Sequence, residues 1–297
     1  MAEPLREVGI IGREIGIIGG GRVAAALASS LGEQLDVALH ARHPERVRLS
    51  PHGPSVPVDA DLALVASREL IIIAVSDDAI PEVARALAAQ LRSQPRPAGP
   101  EGGVTCVLHT SGATTGARSL APLLEVPGVE VGSVHPLLAV PSAAVPGYFT
   151  LAPFVIETSG PVAAERARAL VEQLQGEPIE LPDSTEGTKA RYHALATMVA
   201  TGTVTLVDRA ADALGVDAVQ RAAFRDAFGR LAMTAAVNVS RGPGPEVLTG
   251  PVARGDGATL ELHDRALEGH PVEGLHAAVR RAAEDMVDRG RQEEGGA

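Results

Sequence analysis

The chain has 297 residues, of which 45% are apolar and 21% are charged, a length and composition typical of a globular protein with two domains. Acidic residues outnumber basic residues by 37 to 26, Trp is absent, and Tyr and Phe number only 2 and 4. Without a basic block or aromatic residues that stack on bases, nucleic acids and anionic membranes are excluded as expected partners.

The first half of the sequence alternates short apolar runs with helix-like stretches, which predicts a parallel sheet covered by helices. Strands are predicted at residues 15–18, 35–39, 70–75, 104–108, 129–134, 154–157 and 179–181. Helices are predicted at Arg22–Leu31 and at residues 60–66, 81–91, 117–124 and 161–174. The Pro- and Gly-rich residues 92–103 are predicted to form a loop.

Strand patterns stop at residue 183, and the rest of the chain is predicted to be helical. The predicted helices span residues 184–214, 218–240, 258–266 and 274–289, with a Gly- and Pro-rich interruption at 241–257 and a frayed tail from Gly290. The first of these helices is apolar on most of its faces, so it must be buried in a helical domain or against a second subunit. We therefore predict an α/β domain over residues 1–182 and an all-helical domain over residues 183–297.

A glycine-rich turn follows the first predicted strand and begins a helix. Residues 19–24 read Gly-Gly-Gly-Arg-Val-Ala and fit the pattern G-x-G-x-x-A, whereas the similar run Gly-Ile-Ile-Gly at residues 9–12 leads into no such turn. In a dinucleotide site the first glycine permits the tight turn and the second lets the backbone approach the pyrophosphate. A tight turn without a ligand is the alternative. The residues assigned to this cofactor site are Gly19, Gly20, Gly21, Arg22 and Val23.

The end of the second predicted strand indicates which dinucleotide binds. NAD sites carry an Asp or Glu at this point, whereas this chain has His40-Ala41-Arg42-His43, with Arg46 close behind. Cationic side chains suit the 2′-phosphate of NADP, so we predict NADP(H) with Arg42 as a contact. The alternative is that Arg42 is an ordinary solvated arginine.

Polar residues also follow later strands, at the edge of the sheet where α/β proteins bind ligands. Val75 ends the predicted strand at 70–75 and Ser76 follows it. Both are assigned to the cofactor, although the adjacent Asp77 or Asp78 would also serve as a helix cap.

Two histidines follow successive predicted strands. His109 and Ser111 follow the strand at 104–108, and His135 follows the strand at 129–134. Beside a nicotinamide, histidine can polarise a carbonyl and serine can orient it. The alternative is that these are satisfied structural residues.

Lys189 is the only lysine among the 26 basic residues, and it lies near the start of the long predicted helix. Arginine keeps its proton at physiological pH, whereas lysine can release it, so Lys189 is predicted to transfer a proton or to make a compact charge contact. His193 lies four residues later, on the same helix face. A chance surface lysine is the alternative.

A polar, glycine-punctuated loop at residues 248–256 leads into the predicted helix at 258–266. Its backbone N–H groups and Arg254 suit a substrate carboxylate, and a plain connection between helices is the alternative. The predicted substrate-binding residues are His109, Thr249 and Arg254.

Five runs in the sequence together resemble a known group of enzymes. The runs are A-V-S-D-D-A-I, H-T-S-G-A, S-V-H-P-L, K-x-x-Y-H-A and L-T-G-P-V-A-R-G-D. They are similar to those of two-domain Rossmann-type reductases whose helical C-terminal domain resembles that of 6-phosphogluconate dehydrogenase. Ketopantoate reductases, pyrroline-5-carboxylate reductases, 3-hydroxyacid dehydrogenases and prephenate dehydrogenases belong to this group. The runs resemble most closely a branch that carries a C-terminal domain of unknown function, and the resemblance covers nearly all of residues 15–285.

The resemblance implies residue roles and an assembly. Lys189 takes the place of the proton-donating lysine of ketopantoate reductases and 3-hydroxyacid dehydrogenases, with His193 where those families usually have Asn. His135 stands in a run similar to the H-P-M of prephenate dehydrogenases, and the loop at 249–256 loosely resembles the carboxylate-binding loop of pyrroline-5-carboxylate reductases. Members of the group dimerise through their long helices, which implies a homodimer.

These observations predict an NADP-dependent reductase of a small keto or imino acid, with a ketopantoate-like oxo acid as the first candidate. Lys189 is expected to donate the proton, while His135, Ser111 and His193 orient the carbonyl and Arg254 holds the carboxylate.

Two alternatives belong to other functional classes. A non-catalytic NADP(H)-binding sensor or interaction protein needs the glycine turn and Arg42 but has no use for Lys189 with two strand-end histidines. A metalloenzyme that uses His109, His135 and His193 lacks a Cys or carboxylate at ligand spacing, so no metal is expected. The single cysteine, the absence of a visible secretory signal and the lack of an apolar run of about 20 residues predict a cytoplasmic protein.

Overall fold

The structure is a computed structural model that describes residues 14–93, 103–140, 147–181 and 185–295. The run at residues 9–12, most of the predicted loop at 92–103 and the predicted domain boundary at 182 lie outside the described residues.

The elements follow one another along the chain with strands confined to the first two thirds. The strands are β1 (Glu14–Ile18), β2 (Asp36–His40), β3 (Val58–Asp59), β4 (Leu70–Ile73), β5 (Thr105–His109), β6 (Val129–Pro136), β7 (Pro153–Thr158) and β8 (Glu177–Glu180). The helices beside them are α1 (Arg22–Leu31), α2 (Ala63–Ala66), α3 (Ile80–Ser93), α4 (Gly116–Ser119), α5 (Ala121–Leu124) and α6 (Pro161–Gln173). The later helices are α7 (Glu186–Ala213), α8 (Ala218–Val239), α9 (Gly244–Val247), α10 (Pro251–Arg254), α11 (Gly257–Leu267) and α12 (Glu273–Gly295).

The eight strands form one sheet in the order β3-β2-β1-β4-β5-β6-β7-β8. All neighbours are parallel except β6 and β7, which pair antiparallel. The order of the first six strands is that of a Rossmann domain, and the strand order reverses between β1 and β4, beyond whose carboxyl ends such sheets bind ligands. The predicted Rossmann-type, mostly parallel sheet followed by helices is confirmed.

The central strands are apolar because both faces of the sheet are covered by helices. All four residues of β4, Leu-Ile-Ile-Ile, are buried, as expected for a parallel strand between two helical layers. One layer packs α1 and α6 on the sheet, and the other packs α3 and α5. The alanine-rich α1 starts after Gly21 and ends at Gly32, which is why its bounds agree with the prediction.

The structure corrects several predicted elements. The two-residue strand β3 was not predicted, because it is too short to show a hydrophobic period. The helix predicted at 117–124 is divided at Leu120 into α4 and α5, and Pro122 lies in the first turn of α5. In place of the predicted frayed tail, α12 continues to Gly295.

The chain divides into two compact units, the first ending at Ala196 and the second starting at Thr197, so that the division falls within α7. The described residues of the second unit form helices and the loops that connect them, with no strand. No helix in the described ranges is long and apolar enough to cross a membrane.

Candidate active site

A cleft of about 530 Å³ opens in the first unit, at the carboxyl ends of β1, β2 and β4. All the residues assigned to the cofactor from the sequence line it, together with Thr110, His40, His43 and Arg46. Those assigned residues are Gly19, Gly20, Gly21, Arg22, Val23, Arg42, Val75 and Ser76.

The glycine turn has the geometry that a bound pyrophosphate requires. Gly19 has φ +145°, and a Cβ added there would lie 2.2 Å from the carbonyl oxygen of Ala74. A Cβ added at Gly21, in contrast, would meet no described atom within 4 Å. Gly21 is also the N-cap residue of α1, and no side chain there covers the first N–H groups of the helix. The turn therefore leaves open space at the start of α1, where the backbone of dinucleotide-binding proteins approaches the phosphates.

The far end of the cleft is cationic. Arg42 is exposed just beyond β2 and makes no ion pair with any residue in the described ranges. His43 and Arg46, in contrast, lie 3.4 Å and 3.6 Å from the carboxylate of Glu45. A free guanidinium in the place where NAD sites carry a carboxylate fits the 2′-phosphate of NADP.

Lys189 is wholly buried, with 0% of its surface exposed, so it is not a chance surface residue. Its Nζ donates to the hydroxyl of Ser133 on β6, and that hydroxyl donates to Oε2 of Glu157 on β7 at 3.2 Å. Burial lowers the pKa of Lys189 to about 8, against the opposing negative charges of Glu157 and Glu186. The ammonium therefore stays mostly charged at neutral pH but releases its proton more readily than an exposed lysine does.

Glu186 lies one turn before Lys189 on α7 and is held as a carboxylate. Its Oε1 accepts hydrogen bonds from the backbone N–H of Thr115, at 3.1 Å, and from the Thr115 hydroxyl, while Oε2 lies 3.3 Å from Arg118. Burial raises the pKa of Glu186, but the hydrogen bonds from Thr115 and Arg118 outweigh it and lower that pKa overall.

His135 meets two residues of α7. Its Nδ1 lies 2.7 Å from the hydroxyl of Tyr192, and its ring lies edge-on to that of His193, with centroids 5.6 Å apart. Burial, followed by the charges of His193 and Lys189, lowers the pKa of His135 to about 4, and burial raises the pKa of Tyr192 to about 12. His135 and Tyr192 are therefore neutral at pH 7.

His109 is wholly buried at the end of β5, and its tautomer follows from its contacts. Its Nδ1 accepts the backbone N–H of Ser111 at 3.1 Å, so the neutral ring carries its hydrogen on Nε2. The backbone of Thr115 lies nearby, but Nε2 makes no hydrogen bond of good geometry to a residue that the structure describes. Burial and the charge of Lys189 lower the pKa of His109 to about 4.

The turn after β5 brings its backbone against the histidines. The Ser111 hydroxyl accepts the N–H of Ala113 at 3.1 Å, which stabilises the turn and leaves the hydroxyl hydrogen available. A Cβ at Gly112 would lie 2.6 Å from His193 and 2.9 Å from His135. Only glycine therefore allows the turn to approach both rings.

The structure thus brings Lys189, His135, His193, Ser111 and His109 together in the first unit. Sequence reasoning did not assign the residues that support them, although Gly112, Ser133 and Tyr192 lie inside three of the runs that carried the resemblance. Those unassigned residues are Gly112, Ser133, Glu157, Glu186 and Tyr192.

Thr249 and Arg254 lie in the second unit and are both exposed. Gly250, with φ +95°, precedes α10, and Gly255 ends this helix in the left-handed region with φ +67°. The Asp256 carboxylate then caps α11 by accepting the N–H of Thr259 at 3.1 Å. The contact of Thr249 and Arg254 with a substrate carboxylate stays a prediction. Across the described parts of the chain, no cluster of three or more His, Cys, Asp or Glu residues is arranged to hold a metal ion.

Two family models match parts of the chain. Residues 14–95 match the family described as NADP oxidoreductase, coenzyme F420-dependent, and residues 152–283 match a domain of unknown function, DUF2520. No curated protein matches the chain.

Solved structures with the same fold cover nearly the whole chain. A Bacteroides fragilis protein proposed to be an NADP oxidoreductase is 20% identical, with a TM-score of 0.66 over 92% of this chain and 98% of that one. A pyrroline-5-carboxylate reductase from Coxiella burnetii is 16% identical, with a TM-score of 0.58 over 93% and 97%. A Plasmodium falciparum pyrroline carboxylate reductase with NADP bound is 12% identical, with a TM-score of 0.57 over 94% and 100%.

At these identities the similar structures show the fold alone. The family model that matches residues 14–95 indicates the activity. Residues 14–95 thus match a family of NADP oxidoreductases and residues 152–283 match a domain of unknown function, and the chain is an NADP-dependent oxidoreductase.

Proposed function

We propose that the protein is a cytoplasmic, NADPH-dependent reductase of a small keto or imino acid, with a ketopantoate-like oxo acid as the first candidate. The observation that carries the proposal is Lys189, the only lysine of the chain, wholly buried beside two histidines that are neutral at pH 7. A structural role alone does not account for a buried cation at this position, because burying a charge costs free energy.

The bound cofactor supplies a hydride to the substrate carbon. The residues that would hold it are the turn at 19–23, with Val75 and Ser76 beside it and Arg42 at the 2′-phosphate. This assignment rests on the shape of the glycine turn and on the free guanidinium at the end of the cleft.

Lys189 would protonate the alkoxide or amine that develops on the substrate. A group whose pKa is about 8 is mostly charged at neutral pH and releases its proton more readily than an exposed lysine does. Its positive charge also stabilises the developing oxyanion before the proton moves.

His135, Ser111 and His193 would orient the substrate carbonyl. His135 and Ser111 have neutral side chains, so they can hydrogen-bond the carbonyl without competing with Lys189 as acids at pH 7. The wholly buried His109 would contribute its Nε2–H.

The cofactor assignment is tested by calorimetric titration of NADPH and NADH into wild-type protein and an Arg42→Ala variant. We expect Arg42→Ala to lower NADPH affinity at least about tenfold and to leave NADH affinity unchanged, because only NADPH carries the 2′-phosphate. Arg48→Ala is the matched control, since Arg48 is also exposed but bonds to the backbone oxygen of Glu45. An equal loss for both nucleotides, or no loss, would contradict the assignment.

The substrate class is tested by following NADPH oxidation with a panel of small oxo and imino acids, and with coenzyme F420 as another hydride partner. Turnover of an oxo or imino acid supports the proposal. If only coenzyme F420 is turned over, the hydride acceptor is F420 and the proposed substrate class is wrong. If NADPH binds equally to wild type and Lys189→Ala and nothing is turned over, the protein is a nucleotide sensor instead.

We further propose that the protein is a homodimer through α7 and α8. Large apolar side chains on both helices are exposed, and no residue of α8 is buried within this chain. Ion pairs join Arg221 to Asp212 and Arg225 to Asp208, so both charge signs are present on this surface and a second copy can match it. The exposed residues include Met198 (63%), Val199 (66%), Leu231 (63%) and Met233 (69%).

The assembly is tested by light scattering of the eluting protein. A Leu231→Asp, Met233→Asp variant is expected to elute as a monomer and to bind NADPH as wild type does, because these residues belong to the second unit and the glycine turn to the first. Leu124→Asp, a change at an exposed leucine of α5, is the control and should stay dimeric. A monomeric wild type would overturn the proposal.

A further inference from the structure

Glu157 is a buried carboxylate that the proposed reaction leaves without a role. It lies on β7 opposite Ser133 of β6 in the antiparallel register. A carboxylate in this position is unfavourable unless hydrogen bonds and a nearby cation compensate the loss of water.

The hydrogen bonds around Ser133 have a fixed direction. Oε2 of Glu157 accepts the backbone N–H of Gly116 at 2.9 Å and the hydroxyl of Ser133 at 3.2 Å. Because the Ser133 hydroxyl has one hydrogen and gives it to Glu157, its oxygen offers only lone pairs to Nζ of Lys189. Those lone pairs accept from an ammonium, so the arrangement favours the charged form of the lysine.

We propose that Glu157, acting through Ser133, is a positioning residue that holds Lys189 as an ammonium in a fixed place and thereby sets the upper pH limit of the reaction. The second half of this inference rests on the proposed role of Lys189 as proton donor. The negative charge of Glu157 opposes the effect of burial on Lys189, and Ser133 fixes the direction in which Nζ points.

Other charged and titratable groups face Lys189 from the elements around it. They are Glu186 on α7, His109 on β5 and His135 on β6, and His135 in turn contacts Tyr192 and His193 of α7. With pKa values near 4, His109 and His135 carry no charge above about pH 6, and Glu186 is ionised there because its pKa is lowered. None of these three groups changes charge in the range in which Lys189 titrates.

A protein labelled with ¹³C- and ¹⁵N-lysine tests the inference directly, because its only lysine is Lys189 and gives the only lysine side-chain signal. The wild-type pKa is expected near 8. In Glu157→Gln, which keeps the shape and an acceptor oxygen but removes the charge, the lysine pKa is expected to fall by about one further unit. Ser133→Ala is expected to shift it in the same direction.

The matched control is Glu130→Gln. Glu130 lies on β6, and its carboxylate accepts the backbone N–H of Ala163 at 2.7 Å. This change also removes a carboxylate from the sheet, but it is expected to leave the lysine pKa within about 0.3 units of wild type. Glu157→Asp, which keeps the charge, is expected to restore part of the shift, and a loss of packing alone would not produce this order.

The same variants give a second readout in turnover. The alkaline limb of kcat against pH is expected to move toward acid by the same amount in Glu157→Gln, while the NADPH Kd stays unchanged. A lysine pKa that stays constant or rises in both Glu157→Gln and Ser133→Ala overturns the inference.

The two proposals fail in different ways. If the lysine signal shifts as expected but no oxo or imino acid is turned over, the coupling of Glu157 to Lys189 stands and the proposed reaction is overturned. If turnover requires Lys189 but Glu157→Gln titrates like wild type, the inference alone is overturned.

Discussion

Replacing Lys189 by methionine is expected to lower kcat by a factor of about 10² to 10⁴, the range typical for loss of a general acid, while NADPH affinity stays unchanged. Methionine keeps the length and the apolar stem of the side chain but removes the proton that the developing alkoxide needs. The measurement is steady-state turnover on the best oxo or imino acid, with calorimetric NADPH binding beside it.

Lys189→Arg separates the two roles that the sequence leaves open for this residue. Arginine supplies a positive charge but keeps its proton at neutral pH. If Lys189 donates a proton, Lys189→Arg is expected to be as inactive as Lys189→Met. Activity close to wild type in Lys189→Arg would instead indicate a charge contact and would contradict the proposed donor.

The lysine also predicts a pH dependence of stability. Because the pKa of Lys189 falls from 10.5 to about 8 on folding, the unfolded chain binds more protons between these pH values, and this group makes folding more favourable as the pH rises through them. Relative to Lys189→Met, wild type is therefore expected to gain about 3 kcal/mol in free energy of unfolding between pH 8 and pH 10.5. Urea unfolding of both proteins at the two pH values gives this difference.

The parts of the fold that the sequence predicts are those whose signals are local. The strand at 15–18, the glycine turn and the helix Arg22–Leu31 follow one another within 17 residues, and each is visible in hydrophobic period or glycine content. β3 was missed because two residues carry no period, and its existence depends on pairing with the end of β2.

The candidate site was predictable only in part, because its supporting residues are brought together by tertiary contacts. Lys189 was visible as the only lysine of the chain. Glu157, in contrast, lies near it because the antiparallel pairing of β6 and β7 sets Glu157 opposite Ser133, a register that no local pattern encodes. Gly112 needs to be glycine only because two histidines from different elements meet against it.

Substitutions in the glycine turn give the second large effect. Replacing Gly19 is expected to destabilise the fold, whereas replacing Gly21 is expected to weaken cofactor binding. Gly19→Ala places a Cβ 2.2 Å from the carbonyl oxygen of Ala74, at a φ of +145° that side chains rarely adopt. Because backbone must move, we expect a loss of about 3 kcal/mol or more in the free energy of unfolding, and a Tm about 10 °C lower.

Gly21→Ala is expected to leave the Tm nearly unchanged, because its Cβ would meet no atom of the described chain within 4 Å and its φ of −86° suits alanine. It should nevertheless weaken NADPH binding at least about tenfold, since the new methyl group would occupy the space that the pyrophosphate needs. Thermal unfolding and calorimetric titration of the two variants separate a fold requirement from a ligand requirement. If Gly21→Ala binds NADPH as wild type does, the cofactor does not approach the start of α1, and the cleft assignment is wrong.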